Sequence, residues 1–272
     1  MRAIYYNTAD RWGDYWLTVK EDKSKLDINS YPIFPAIEHI KNDGLILEAG
    51  CGLGRLAKWL KENNFKVVAM ELEEYSVQKL KKDAPSMDCV RADACSLPFR
   101  ERSFRYVFLM GVIDVFSAEE KRESSLDEAE RVLDNQGTAF ISVPHADSLF
   151  WLLYSLRRNN FIRKIFGRRK LQQHIGQFAF TTKEVKSLVQ RHFSSFKVNY
   201  ANCRMGFFYI FPFLRAKKIR KDNFPELQKR ERSAGDKIYE LNRFGEFLFL
   251  LLKGTGIFNK FISPTLYVVA RK

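Results

Sequence analysis

Between residues 44 and 144 short apolar runs alternate with longer amphipathic ones. "GLILEAG", "KVVAMEL", "MDCVRAD", "FRYVFLMG" and "GTAFISVP" are rich in Val, Ile, Leu and Phe and read as buried strands. Between them, "GRLAKWLKENN" carries Leu56, Trp59 and Leu60 on one face, and "EEYSVQKLKKDA" and "EEKRESSLDEAERVL" show the same helical period. Strands that are apolar on both faces and alternate with helices predict a parallel sheet covered on both sides. Beyond this block, "TTKEVKSLVQRHF" offers a threonine to cap a further helix, and "FKVNYAN" and "PTLYVVARK" read as two more strands. The expected fold class is α/β: a three-layer, doubly wound, mostly parallel seven-stranded sheet with helical insertions. No internal repeat or low-complexity tract interrupts the pattern.

The layout follows from where the pattern breaks. One domain over 1–272 is expected, with an aromatic-rich N-terminal helical cap at 1–40 and a cofactor-binding core at 44–147. A basic, apolar insertion follows at 148–176. The helix and strand of 177–201 return to the core, a second basic, apolar insertion occupies 202–263, and the last strand is 264–272. At 272 residues and 46% hydrophobic content, the chain can bury a full core. Its formal net charge of +14 is local, not general. Residues 148–176 hold seven Lys/Arg and no acid, and residues 202–263 hold thirteen Lys/Arg against six acids, which accounts for the whole excess. Two concentrated basic segments suggest an acidic partner, such as an anionic membrane surface.

Cysteines at 51, 89, 95 and 203 form no C-x-x-C pair, so no metal site is expected. Scattered cysteines and a start without an apolar run suggest a cytoplasmic protein, with peripheral attachment at the inner face of the membrane as an option. No run approaches the ~20 apolar residues of a membrane span.

The chemistry starts at "LEAGCGLGR". Gly50, Gly52 and Gly54 follow a strand and precede a helix, a turn that lets backbone approach a ligand beside a helix N-terminus. A dinucleotide fingerprint would place a third glycine at position 55, where Arg55 stands, which counts against a nicotinamide dinucleotide and an NAD-dependent oxidoreductase. Glu71 ends the second strand and can accept hydrogen bonds from two ribose hydroxyls. Asp93 ends the third, beside where an adenine amino group would lie. All three features fall at carboxyl ends of consecutive strands, where open α/β sheets bind ligands.

These motifs, with "RADACSLPFRERSFRYVFLMGVIDVF", "EAERVLDNQGTAFISVP" and "HIGQFAFTTKEVKSLVQRHF" in order after them, resemble the class I S-adenosylmethionine-dependent methyltransferases, in particular their small-molecule branch. The resemblance implies S-adenosyl-L-methionine as cofactor. It implies that Gly50 and Gly52 approach its methionine part, with Glu48 near the amino group. It also implies Glu71 at the ribose hydroxyls, Asp93 and Ala94 at the adenine, Met110 and Gly111 near the reactive methyl, and Cys51, Gly54 and Leu72 among the cofactor-binding residues. Three positions depart from the family pattern: Arg105 replaces a common acid, "NQG" replaces a "PGG" turn, and Leu53 stands where Thr or Ser is common.

The expected activity is methyl transfer to a small or lipid-like acceptor. "LMGVID" lacks the N/D-P-P-Y/F pattern of methyltransferases acting on base amino groups, and nucleic acid is the least favoured partner. His145 and His174 are the candidate general bases, and Asp114 could reach the pocket or cap a helix. A non-catalytic cofactor-binding protein is the competing reading from another class. On a helix, Phe161, Ile162, Ile165 and Phe166 share a side, a pattern suited to a lid or to a membrane surface. Tyr5, Tyr6, Trp12, Tyr15 and Trp16 are expected to close over the cofactor.

Overall fold

Ile46 packs into one apolar cluster, and its neighbours Leu47 and Ala49 into the opposite one. Tyr106 to Leu109 alternate in the same way. A two-residue period with apolar side chains on both sides marks strands buried between two layers. The structure is a computed structural model that describes residues 2–3, 40–158, 177–211, 213, 241–253 and 255–272. In chain order the elements are β1 (Arg2–Ala3), β2 (Ile46–Ala49), α1 (Arg55–Glu62), β3 (Val67–Glu71), α2 (Glu74–Asp83), β4 (Asp88–Arg91), β5 (Phe104–Met110), α3 (Glu119–Val132), β6 (Leu133–Pro144), α4 (Leu149–Arg158), β7 (Phe178–Ala179), α5 (Thr182–Val189), β8 (Ser195–Ala201), α6 (Cys203–Ile210), α7 (Arg243–Leu252), α8 (Gly256–Ile262) and β9 (Thr265–Arg271).

Seven strands form one sheet in the order β4-β3-β2-β5-β6-β9-β8. The five from β4 to β6 run parallel; β9 pairs antiparallel with β6, and β8 antiparallel with β9. This is the doubly wound, mostly parallel sheet expected from the sequence. The cluster on one face draws in α3 through Leu126, Ala129 and Val132, and α5 through Val185, Leu188 and Val189. The other face draws in α1 through Leu56, Ala57 and Leu60, and α2 through Leu80. The chain leaves β2 towards β3 and β4 on one side and returns to β5 and β6 on the other. The switch point between β2 and β5 opens a crevice at their carboxyl ends, which is where such sheets hold ligands.

Local signals act as read. Thr181 caps α5: its hydroxyl accepts from Glu184 N at 3.1 Å, while Glu184 Oε2 accepts from Thr181 N at 2.8 Å. Arg105, the departure from the family's acid, is held by acids of its own, Asp134 at 3.2 Å and Asp43 at 3.6 Å. The "NQG" stretch differs from the expected helix–turn–strand. Val132 passes directly into β6, whose pairing with β5 jumps from Phe104↔Leu133 to Tyr106↔Thr138. Asp134 stabilises this irregularity by accepting from both Arg105 and Gln136 N. The two-stranded pairing of β1 with β7 has no counterpart in the sequence reading, because two-residue strands carry no periodicity. The expected aromatic cap residues 5–16, the face built on Phe161, Ile162, Ile165 and Phe166, and His174 all lie outside the described residues.

A third apolar cluster joins Phe207 of α6, Leu241, Phe249 of α7 and Ile262 of α8. Gly206 permits this contact: a Cβ there would stand 1.9 Å from the Ile262 carbonyl oxygen. Backbone cannot yield as a flexible side chain can, so Gly206→Ala should destabilise by about 1–3 kcal/mol. Hydrogen exchange should show faster opening in Gly256–Ile262 with protection in β2 and β5 unchanged.

Candidate functional site

Ala49 ends β2, and the chain turns through Gly50, Gly52 and Gly54 with φ of 78°, 54° and 70°, left-handed values that L side chains disfavour. The turn is stitched to β3 by Gly50 N and Cys51 N, both donating to the Met70 carbonyl at 2.8 and 2.9 Å. Gly54 is the N-cap of α1 and packs so closely on α2 that a Cβ would stand 2.6 Å from Leu80. Three carboxylates complete the arrangement. Glu71 Oε2 accepts from Gly52 N at 2.8 Å, while its Oε1 accepts from Leu72 N at 2.8 Å and Glu73 N at 3.1 Å. Glu48 Oε2 accepts from Ala57 N at 2.7 Å in the first turn of α1. Asp93 Oδ1 accepts from Cys95 N at 2.9 Å, fixing the turn after β4.

These groups surround a cavity of about 280 Å³ lined by Glu48, Gly50, Cys51, Gly52, Met70, Glu71, Leu72, Asp93, Ala94, Met110 and Gly111, with Arg55, Val112, Val115, Phe116 and Gln177 among the others. The structure therefore gathers ten of the eleven sequence-predicted cofactor residues at one cavity wall. Gly54 is the exception, standing behind the turn as the helix cap. Arg55, set aside as a helix residue, also reaches the wall. The donor set suits S-adenosylmethionine. Carboxylates at two strand ends match hydroxyl and amino donors, and backbone at the glycine turn allows close approach.

A second cavity of about 320 Å³ is lined by Asp114, Ser142, Val143, Pro144, Phe150, Trp151, Pro264 and Thr265, together with Gly111 and Gln177. Gly111 and Gln177 thus belong to both cavities. Gln177 is placed there because Phe178 N donates to the Asp114 carbonyl at 2.6 Å and Phe180 N to the Pro144 carbonyl at 2.9 Å. Sequence reasoning missed Gln177 and the Phe150–Trp151 wall. Both precede or follow a break in periodicity, and no motif marks them.

The expectation that His145 acts as a general base is corrected. Its ring is fully buried and lines neither cavity. Nδ1 lies 3.0 Å from the Ser263 carbonyl, which can only accept, so Nδ1 carries the proton. Nε2 then accepts from the Thr182 hydroxyl at 3.4 Å. Burial lowers its pKa, and the neutral ring pins β6 to the segment before β9. Among the described residues no group of three or more His, Cys, Asp or Glu could hold a metal ion.

Burial pushes Glu48 up to about 8 from 4.5, against the Ala57 N–H and Arg55, which favour its charge. The folded state thus holds a proton that the unfolded chain releases above about 4.5, so stability falls as pH rises from there to about 8. Urea titrations should show Glu48→Gln gaining on the wild type by a few kcal/mol between pH 5 and pH 8. A gap that stays constant across that range would mean Glu48 is ionised in the folded protein.

The comparisons with known proteins agree with this geometry. Residues 47–141 match the family model described as "Methyltransferase domain". No curated protein matches the sequence. Among solved structures, the chain is similar to an S-adenosylmethionine-dependent methyltransferase from Thermotoga maritima, with a TM-score of 0.52 and 18% identity over 88% of this chain and 86% of that one. It is similar to another from Archaeoglobus fulgidus, with a TM-score of 0.52 and 16% identity over 88% and 91%. A third, from Methanosarcina mazei, has a TM-score of 0.51 and 18% identity over 61% and 88%. These likenesses concern the fold, and the family model covers the strands and turns that build the first cavity. Residues 47–141 thus match a methyltransferase domain, the chain has the fold of these S-adenosylmethionine-dependent methyltransferases, and S-adenosyl-L-methionine is the cofactor that the match implies.

Proposed function

We propose that the enzyme methylates a small or lipid-like acceptor seated in the second cavity, at the surface of an anionic membrane. The observation that carries this reading is the shared wall: Gly111 and Gln177 line both cavities, so an acceptor in the second would face the cofactor in the first. Bound S-adenosylmethionine supplies an electrophilic methyl group. In this reading Glu71 and Leu72 hold the ribose and Asp93 and Ala94 border the adenine. Gly50, Cys51 and Gly52 admit the methionine part, and Glu48 lies near its amino group. The protein's contribution is positioning and exclusion of water. Phe150, Trp151, Pro144 and Pro264 give the second cavity an apolar wall suited to an apolar acceptor body.

The membrane part rests on α7 and α8. Phe244, Phe247, Leu250, Leu251, Ile257 and Phe261 are each at least half exposed, and Arg243, Lys253 and Lys260 beside them are exposed as well. Apolar side chains flanked by cations suit an interface with anionic head groups. Among the described residues no helix is long and apolar enough to cross a membrane.

Calorimetric titration with S-adenosylhomocysteine tests the cofactor assignments. Glu71→Ala should weaken binding about 10- to 100-fold, as expected for loss of hydrogen bonds to a charged group. Unchanged affinity would remove Glu71 from the site. For the membrane part, the protein should co-sediment with phosphatidylglycerol vesicles at low salt and less with phosphatidylcholine vesicles. Phe247→Ser with Leu251→Ser should release it, and absence of binding to the anionic vesicles would end that part of the reading.

A further inference from the structure

The side chain of Asp114 is fully buried, and among the described residues neither of its carboxylate oxygens has a hydrogen-bond partner. Buried carboxylates are ordinarily satisfied, and an orphaned one destabilises the fold unless something else meets it. Asp114 lines the second cavity. Its Oδ1 stands 3.8 Å from where a Cβ on Gly111 would lie, so the carboxylate points towards the strand end shared by both cavities. The backbone of Asp114 is held by Phe178 N, which donates to its carbonyl. Among the described residues, Arg122 of α3 is the charged group that faces it. That guanidinium donates to the Phe116 and Ser117 carbonyls and lies over the rings of Phe178 and Phe180, at 4.9 and 5.5 Å. Arg122 therefore tempers the burial of Asp114 without pairing with it.

We propose that Asp114 is the acceptor-binding base of this enzyme, and that the acceptor's nucleophilic atom is an oxygen or nitrogen bearing a hydrogen, presented to the carboxylate at the junction of the two cavities. This rests on the methyl-transfer reading above and narrows its substrate class to alcohols, phenols or amines with an apolar body. Thioethers and other nucleophiles with no hydrogen to give are excluded. In the reaction the acceptor's lone pair forms the new bond to the methyl carbon. The carbon–sulfur bond breaks with its electron pair left on sulfur, and the acceptor's proton passes to Asp114. Burial pushes this carboxyl up to about 7, which suits a group that must take a proton and release it near neutral pH. The orphaned carboxylate is then a stability sacrificed for function.

Octan-1-ol, octylamine and methyl octyl sulfide, added separately to protein saturated with S-adenosylhomocysteine, distinguish the cases by calorimetry. At least one hydrogen-bearing probe should bind about tenfold or more tightly than the sulfide, and the stronger of the two tells an alcohol site from an amine site. Octylamine affinity should rise as pH passes through about 7 in the wild type, as Asp114 ionises, and stay flat in Asp114→Asn. Asp114→Ala should abolish the preference over the sulfide. Both variants should retain S-adenosylhomocysteine affinity and melt no lower than wild type, because no hydrogen bond among the described residues is lost and the cost of burying the carboxylate is removed. The proposal is overturned if no probe binds, if the sulfide binds as well as the others, if the preference survives in Asp114→Ala, or if both variants lose stability. Failure of wild type to bind S-adenosylhomocysteine would instead strike the underlying methyl-transfer reading, and this proposal with it.

Discussion

The site depends on one hydrogen bond: the Gly52 N–H donated to Glu71 at 2.8 Å. It ties a turn of left-handed residues, which has no regular structure of its own, to the end of the neighbouring strand. Without such a tie the turn between β2 and α1 would sample many conformations, because glycine carries the largest backbone entropy. The same carboxylate caps its own strand end by accepting from Leu72 and Glu73. Glu48 performs the matching task at the start of α1, where an acceptor answers an otherwise unsatisfied helix N–H. Two acids that face a cofactor cavity therefore also set the shape of the backbone around it.

From this turn the rest of the arrangement follows by topology. The chain crosses from β2 to β5 at the switch point, so Gly50 and Gly111 face one another across a crevice at the carboxyl ends of adjacent strands. Val112, directly after Gly111, packs so close to Gly50 that a Cβ there would stand 2.5 Å from it. On the far side, residues 178–180 meet the carboxyl end of β6 and hold Gln177 between the two cavities. His145, buried and lining neither cavity, locks the end of β6 to Ser263 and the start of α5.

The parallel sheet, its seven strands, and the cofactor cavity were legible in the sequence because each rests on local signals. Continuous apolar runs mark doubly buried strands, and glycines and acids at fixed places on strand ends mark the cofactor turn. The second cavity was not legible. Its walls come from Gly111, Pro144, Trp151, Gln177 and Pro264, which are distant in sequence and meet only through folding. Asp114 shows the limit well. Its neighbours in "GVIDVF" allow either a helix cap or a pocket residue, and only burial without a partner separates the two. His145 erred the other way: a histidine after a strand end invites a catalytic reading, while the carbonyl that satisfies it lies 118 residues away.

The central claim is that the cofactor's reactive end and the second cavity meet at Gly111 and Gln177. A crystal structure of the enzyme with S-adenosylhomocysteine bound tests this most directly. The account predicts the thioether sulfur beside Gly111 with an open path to the cavity lined by Asp114 and Trp151. A sulfur turned away from Gly111, or a continuous wall of protein between it and that cavity, would contradict it.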